Sequence, residues 1–304
     1  MERHDIHITV EDGTMLEVSV DKAIDQAVGV VHIFHGMAEH KDRYDGLAAS
    51  LNKQGYDVIR HNHRGHGKDI DASTRGHYNK MTDVVRDAYE IAQTLYGQST
   101  LPYIVLGHSM GSIIARKFVQ TYPEFVNGLI LTGTSQYSRV KGVLMSSLLK
   151  LVTWLCGKKR RMAWLNNQVF NTFNRKIKPR RTDADWISSD PNEVDAYVQD
   201  PYSGFFVSNQ LFYEVMHQMH ITGLEKEIRK INPSMPVLLI AGKADAFGDY
   251  GRGVRRFGKY LKRGGVSHIT VHLYKNKRHE ILFEIDHQHV WSNMYDWMAK
   301  QILK

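Results

Sequence analysis

Short apolar runs and longer amphipathic stretches alternate through the front half of the chain. Ile6–Val10 and Met15–Val20 read as a hairpin around Glu11-Asp12-Gly13-Thr14. Val28–Phe34 is a continuous apolar strand, the pattern of a parallel strand buried on both faces. A helix over Tyr44–Lys53, a strand over Asp57–Arg60 and a loop rich in Gly and His come next. Helix Met81–Tyr96, strand Tyr103–Leu106, a helix reaching Tyr122 and strand Val126–Leu131 complete the series. Such alternation predicts an α/β fold with a doubly wound, mostly parallel sheet.

From about Ser135 to Lys230 only helical periodicity and loops remain. Strand Pro236–Ile240, helix Gly251–Leu261, strand His268–Tyr274 and helix His287–Leu303 then restore the first pattern. The expected organisation is a core of residues 1–134 and 231–304 carrying a helical cap over 135–230. That cap should lie across the carboxyl edge of the sheet, where α/β folds bind ligands.

Composition narrows the class. The 304 residues suffice for one large domain with an insertion, and 42% hydrophobic with 24% charged residues is ordinary for a globular protein. There is no apolar stretch of 18 residues, and Met1-Glu2-Arg3-His4-Asp5 lacks a signal-peptide pattern. A cytoplasmic chain without a membrane-spanning helix is therefore expected. The one cysteine, Cys156, rules out an internal disulfide and fits a reducing compartment. Because C-x-x-C, H-E-x-x-H and G-x-x-x-x-G-K-[ST] are all missing, neither metal nor nucleotide cofactor is expected.

The net charge of +8 is concentrated in one segment. Between Phe125 and Thr182 there are twelve Lys and Arg residues and no Asp or Glu, leaving 28 bases and 32 acids elsewhere. No aromatic platform or binding motif accompanies these bases, so nucleic acid is not the expected partner.

Gly107-His108-Ser109-Met110-Gly111 sits between the apolar Tyr103–Leu106 and a helical stretch from Ser112. A G-x-S-x-G at a strand-to-helix turn is a nucleophile elbow: the turn is tight enough to want glycine on both sides and holds the serine hydroxyl out at the top of the sheet. A serine needs a base, and the base an orienting carboxylate, in the chain order Ser, acid, His. Asp245 follows the strand ending in Ile240-Ala241-Gly242, and His279 follows Thr270–Tyr274 by a short basic loop. Asp249 is the rival acid, expected instead to cap the next helix. Among 17 histidines, His272 lies within a strand and His287 and His289 in the last helix, so His279 leads on position. The oxyanion requires two fixed N–H donors, expected from Met110 and from Met37 in His35-Gly36-Met37-Ala38-Glu39-His40. His35 is expected to brace that loop, whereas Glu39 and His40 have substrate contact and loop bracing as open alternatives.

At this point the chain resembles the monoacylglycerol lipase and lysophospholipase branch of the α/β-hydrolases, also grouped with serine aminopeptidase S33 domains. The resemblance rests on His35–His40, His63-Arg64-Gly65-His66-Gly67, Gly107–Gly111, Gly242-Lys243-Ala244-Asp245, Arg278-His279-Glu280-Ile281-Leu282 and Asp195–Pro201. It implies Ser109, Asp245 and His279 as catalytic triad, with Met37 and Met110 as oxyanion donors. Two positions depart from the pattern. Asn62 stands where relatives often have Asp, which implies altered local pairing without lost activity, and Gly248 stands near a position where some relatives carry cysteine.

The resulting expectation is a serine hydrolase of fatty-acyl esters, monoacylglycerols or lysophospholipids, with a carboxylesterase of short or small esters as alternative. A non-catalytic receptor on the same fold is the rival from another class. Peptidase action is disfavoured because no acidic site for a substrate amino terminus stands out. Val143–Cys156, too short to span a bilayer, is followed by Lys158-Lys159-Arg160-Arg161. Two readings of it stay open. Leu144, Leu148, Leu151 and Leu155 pack onto the main domain, with Trp154 and Trp164 in the core, or the segment lies on an anionic lipid surface.

Overall fold

Eight strands form one sheet in the order β1-β2-β4-β3-β5-β6-β7-β8 in the computed structural model, which describes residues 2–303. β1 (Arg3–Thr9) and β2 (Met15–Asp21) make the hairpin, and β2 runs antiparallel to β4 (Tyr56–His61). β3 (Gly29–Phe34), β5 (Tyr103–His108), β6 (Gly128–Thr132), β7 (Val237–Gly242) and β8 (Ile269–Tyr274) join β4 in parallel. β7 begins one residue after Pro236, which has no N–H to give a ladder.

Alternate residues of the central strands face two separate cores. Val31, Ile33, Leu106, Leu238 and Ile240 pack against α1 (Asp45–Lys53) and α10 (His287–Gln301). Val30, Phe34, Val105, Leu131 and Leu239 pack against α2 (Met81–Tyr96), α3 (Met110–Thr121) and α9 (Arg252–Arg263). Helices on both faces bury the inner parallel strands, which is why β3, β5, β6 and β7 read as largely apolar runs, whereas the edge strand β8 stays partly exposed. The chain winds from β3 to β4 on one side and returns to β5 on the other, so the carboxyl ends of β3 and β5 flank the point where strand order reverses. Loops there diverge and leave a crevice.

The chain between β6 and β7 holds α4 (Arg139–Cys156), α5 (Ala163–Asn174), α6 (Pro191–Gln199), α7 (Asn209–Ile221) and the short α8 (Glu225–Ile228). The face that α4 buries corrects the packing reading of its leucines. Gly142, Ser146, Leu149 and Thr153 are its buried residues. Ser146 Oγ lies 3.0 Å from His217 Nδ1 on α7, and Thr153 Oγ1 donates to Asn209 O at 3.2 Å. Leu144, Leu148, Leu151 and Leu155 lie on the open side, with Trp154 77% and Trp164 59% exposed, so neither tryptophan is core. Small residues let α4 approach α7 closely, which leucines at those positions would prevent.

Candidate active site

The glycines flanking Ser109 are required by contact. A methyl on Gly107 would overlap Gly111 O, and one on Gly111 would overlap the carbonyls of Phe34 and His35. The β5–α3 turn therefore sits directly against the end of β3. Ser109 itself adopts φ 53°, ψ −117°, a conformation that L-residues hold only when the surroundings impose it. Its N–H donates to Thr132 O at 3.0 Å, and its carbonyl accepts from Ser112 Oγ at 2.6 Å. These contacts hold the hydroxyl in the crevice above the sheet.

β7 and β8 deliver the other two groups. Their loops run in contact because Gly242 has no side chain to collide with Lys277 O and Arg278 O. Ala244 N–H donates to Lys277 O at 2.9 Å. Ser109 Oγ stands 2.9 Å from His279 Nε2, and His279 Nδ1 stands 3.1 Å from Asp245 Oδ2. Asp245 is fully buried, and its Oδ1 accepts the Phe247 N–H at 2.9 Å. The three groups thus form a continuous hydrogen-bonded relay. Asp249 lies outside it, paired with Arg252 at 2.6 Å. It does not cap α9 either: that position belongs to Gly251 in a left-handed conformation. His272 is on β8, while His287 Nδ1 faces Glu284 O and His289 lies near Asn293.

Met110 opens α3, where first-turn N–H groups have no helical acceptor. Met37 and Met110 line one cavity with Ser109. The loop carrying Met37 is braced from beneath. His35 Nδ1 faces Gly36 O at 2.8 Å, and its Nε2 accepts the His63 N–H at 3.0 Å. His66 Nε2 accepts the Ala38 N–H at 3.2 Å. Burial lowers the pKa of His61 to about 3 and of His66 to about 4, so both rings stay neutral at ordinary pH and His66 keeps its acceptor nitrogen. Asn62 links Lys41 N–H, at 2.8 Å, to Glu17 Oε2, at 3.0 Å. An amide serves there because it accepts on one side and donates on the other.

Glu39 and His40 act as braces. Glu39 Oε1 accepts from the Gly36 N–H and from Tyr44 Oη, and its Oε2 takes Arg43 at 2.6 Å. His40 Nε2 pairs with Asp200 at 2.7 Å; burial pulls its pKa down, but hydrogen bonds to Asp42 and Asp200 outweigh burial and raise it.

Several neighbours of the relay were not singled out from the sequence. Trp186 lies 4.6 Å from the His279 ring, centroid to centroid, and Phe247 meets it edge-on at 5.3 Å. Arg43 forks both oxygens of Glu280 at 2.7 Å and bonds Glu39, with the Tyr197 ring over its guanidinium at 4.9 Å. Two carboxylates, Glu39 and Glu280, therefore stand beside the relay and share Arg43. Nothing in the local patterns marks their pairing through Arg43, since Glu39 and Glu280 come from distant segments.

Two spaces meet at Ser109. One is a cavity of about 450 Å³ walled by apolar side chains, among them Leu148, Leu149, Val152, Phe212, Val215 and Met216. The other is a hollow of about 30 Å³ bounded by Glu39, Tyr197, His279 and Glu280. No group of three or more metal-ligating side chains occurs among the described residues.

The model of the family described as serine aminopeptidase, S33 matches residues 25–286. A monoacylglycerol lipase of Mycolicibacterium smegmatis is 29% identical over 284 residues, covering 90% of this chain and 89% of its own. The monoglyceride lipase of Rattus norvegicus is 26% identical over 250 residues, 80% of this chain and 74% of its own. Among solved structures, a thermostable carboxyl esterase from Bacillus coagulans superposes with a TM-score of 0.88 at 27% identity, covering 99% of both chains.

Proposed function

The chain belongs to the serine aminopeptidase S33 family of α/β-hydrolases, and within it we propose an ester hydrolase of monoacylglycerols or lysophospholipids. The observation that carries this reading is the placement of Ser109 at the end of a large apolar chamber. A chamber of about 450 Å³ walled by apolar side chains suits an acyl chain. The names of the M. smegmatis and rat relatives support the same substrate class.

In the proposed reaction His279 Nε2 takes the Ser109 proton while Oγ attacks the ester carbonyl, and Asp245 stabilises the imidazolium through Nδ1–H. The tetrahedral oxyanion accepts from the Met37 and Met110 amides. Collapse breaks the bond to the alcohol, which leaves with the proton from His279, and Ser109 holds the acyl group. Water deprotonated by His279 then attacks, and the fatty acid departs. Aminopeptidase action needs a carboxylate free to meet an ammonium group. Glu39 and Glu280 are instead committed to Arg43, Tyr44 and the Gly36 amide.

The Bacillus coagulans likeness supports a carboxylesterase as second reading. A series of monoacylglycerols of increasing acyl length separates the two. The rate constant kcat/KM should climb by roughly tenfold for every two methylenes buried, at about 0.8 kcal/mol each, until the chamber is full. A maximum at acetyl or butyryl would select the carboxylesterase.

We infer further that the mouth of the chamber docks on an anionic lipid surface. No helix among the described residues is long and apolar enough to cross a membrane. Leu144 and Leu155, each 65% exposed, stand with Trp154 on the open face of α4 beside the exposed bases Lys158, Lys159 and Arg160. Leu148 and Trp164 continue this apolar face into the chamber wall. Each well-placed base contributes about 1 kcal/mol toward anionic lipid. The protein should co-sediment with phosphatidylglycerol-containing vesicles, and Trp154→Ala with Leu155→Ala should weaken this at least about tenfold. Equal recovery of parent and variant would refute the docking face.

A further inference from the structure

A second cavity, of about 510 Å³, lies at the junction of α4, the α7–α8 connection and α9, and shares no lining residue with the spaces around Ser109. Leu224 and Tyr260 supply its apolar surface, while the exposed Arg139, Lys226 and Arg263 supply three cations. Among the described residues none of these cations forms an ion pair. The carboxylate on the wall, Glu225, is already taken by Arg229 at 2.5 Å.

An uncommitted donor also borders the space. Gln136 is 2% exposed, and its Oε1 accepts from Arg116 Nη1 at 3.1 Å, which orients the amide. That leaves Nε2 with one long bond, 3.4 Å to Tyr137 O. Gly223 makes room for this amide, since a methyl there would overlap it. A buried N–H donor with a poor partner is costly unless something else accepts from it.

We propose that this cavity binds a small amphiphilic anion: a compact oxyanion carried on an aryl or short alkyl body. The oxyanion answers three unpaired cations and the Gln136 amide, and the body covers Leu224 and Tyr260. Guanidinium forks suit such a group better than a point charge does. The site bridges α4, α8 and α9, so an occupant tied to all three stabilises their present arrangement by mass action. Binding is independent of the chemistry at Ser109.

Phenyl phosphate titrated calorimetrically into the full-length protein tests this. Saturable binding is expected, about tenfold weaker in Arg139→Gln and again in Arg263→Gln, and unchanged in Lys259→Gln, an exposed α9 position outside the cavity. Ser109→Ala should bind as the parent does. Phenol should bind at least tenfold more weakly, reporting the charge, and inorganic phosphate likewise, reporting the apolar wall. No saturable binding, or binding indifferent to both arginine variants, would overturn the site. Inorganic phosphate equal to phenyl phosphate would overturn the apolar part of the assignment.

Discussion

Ser109→Ala is expected to lower ester turnover by roughly 10⁴–10⁶-fold, the scale on which removal of an activated nucleophile acts. The loss should be confined to chemistry. Alanine keeps the Cβ, so the turn imposed by Gly107 and Gly111 against Phe34 O and His35 O is undisturbed. One hydrogen bond disappears, Oγ to His279 Nε2, a change of about 1 kcal/mol in stability. Turnover of a chromogenic ester, fluorophosphonate labelling and a thermal melt together make the check. Activity and labelling should vanish while Tm moves by only a few degrees. Turnover retained in that variant would mean that Ser109 is not the nucleophile.

Asp245→Asn should reduce kcat by about 10⁴-fold, and Asp249→Asn by less than about twofold. The amide of an asparagine fills the same volume and can still accept the Phe247 N–H, now 2.9 Å from Oδ1. It cannot accept from His279 Nδ1–H and also stabilise an imidazolium, so the ring loses the tautomer in which Nε2 is a base. Asp249 pairs with Arg252 on the exposed start of α9, where an ion pair contributes little. Comparable losses in both variants, or a loss under tenfold at Asp245, would reassign the acid.

Much of the fold was legible because its signals are local. A parallel strand buried on both faces has no polar side, so β3, β5 and β7 announce themselves as apolar runs. α2 spans Met81–Tyr96, the range its amphipathic pattern outlines. Ser109, Asp245 and His279 were nameable from a tight turn and from two loops following strands. The topology of a parallel sheet brings the ends of successive strands to one edge.

What stayed hidden depends on distant segments meeting. Trp186 reaches His279 across 93 residues of chain, and Arg43 joins Glu39 to Glu280. Neither contact leaves a mark in its own neighbourhood.

α4 shows the division most plainly. Leu144, Leu148, Leu151 and Leu155 share one face of the helix, and Gly142, Ser146, Leu149 and Thr153 share another with the same four-three-four spacing. Periodicity established that a helix exists with two distinct faces, and hydrophobicity by itself pointed the leucines inward. Which face is buried was decided by the partner: α7 lies close enough to call for Gly142, Ser146 and Thr153 beside Leu149, leaving the other leucines at the open side of the chamber. A helix's period is encoded in its own residues, whereas the fit of one surface to another exists only once both are folded.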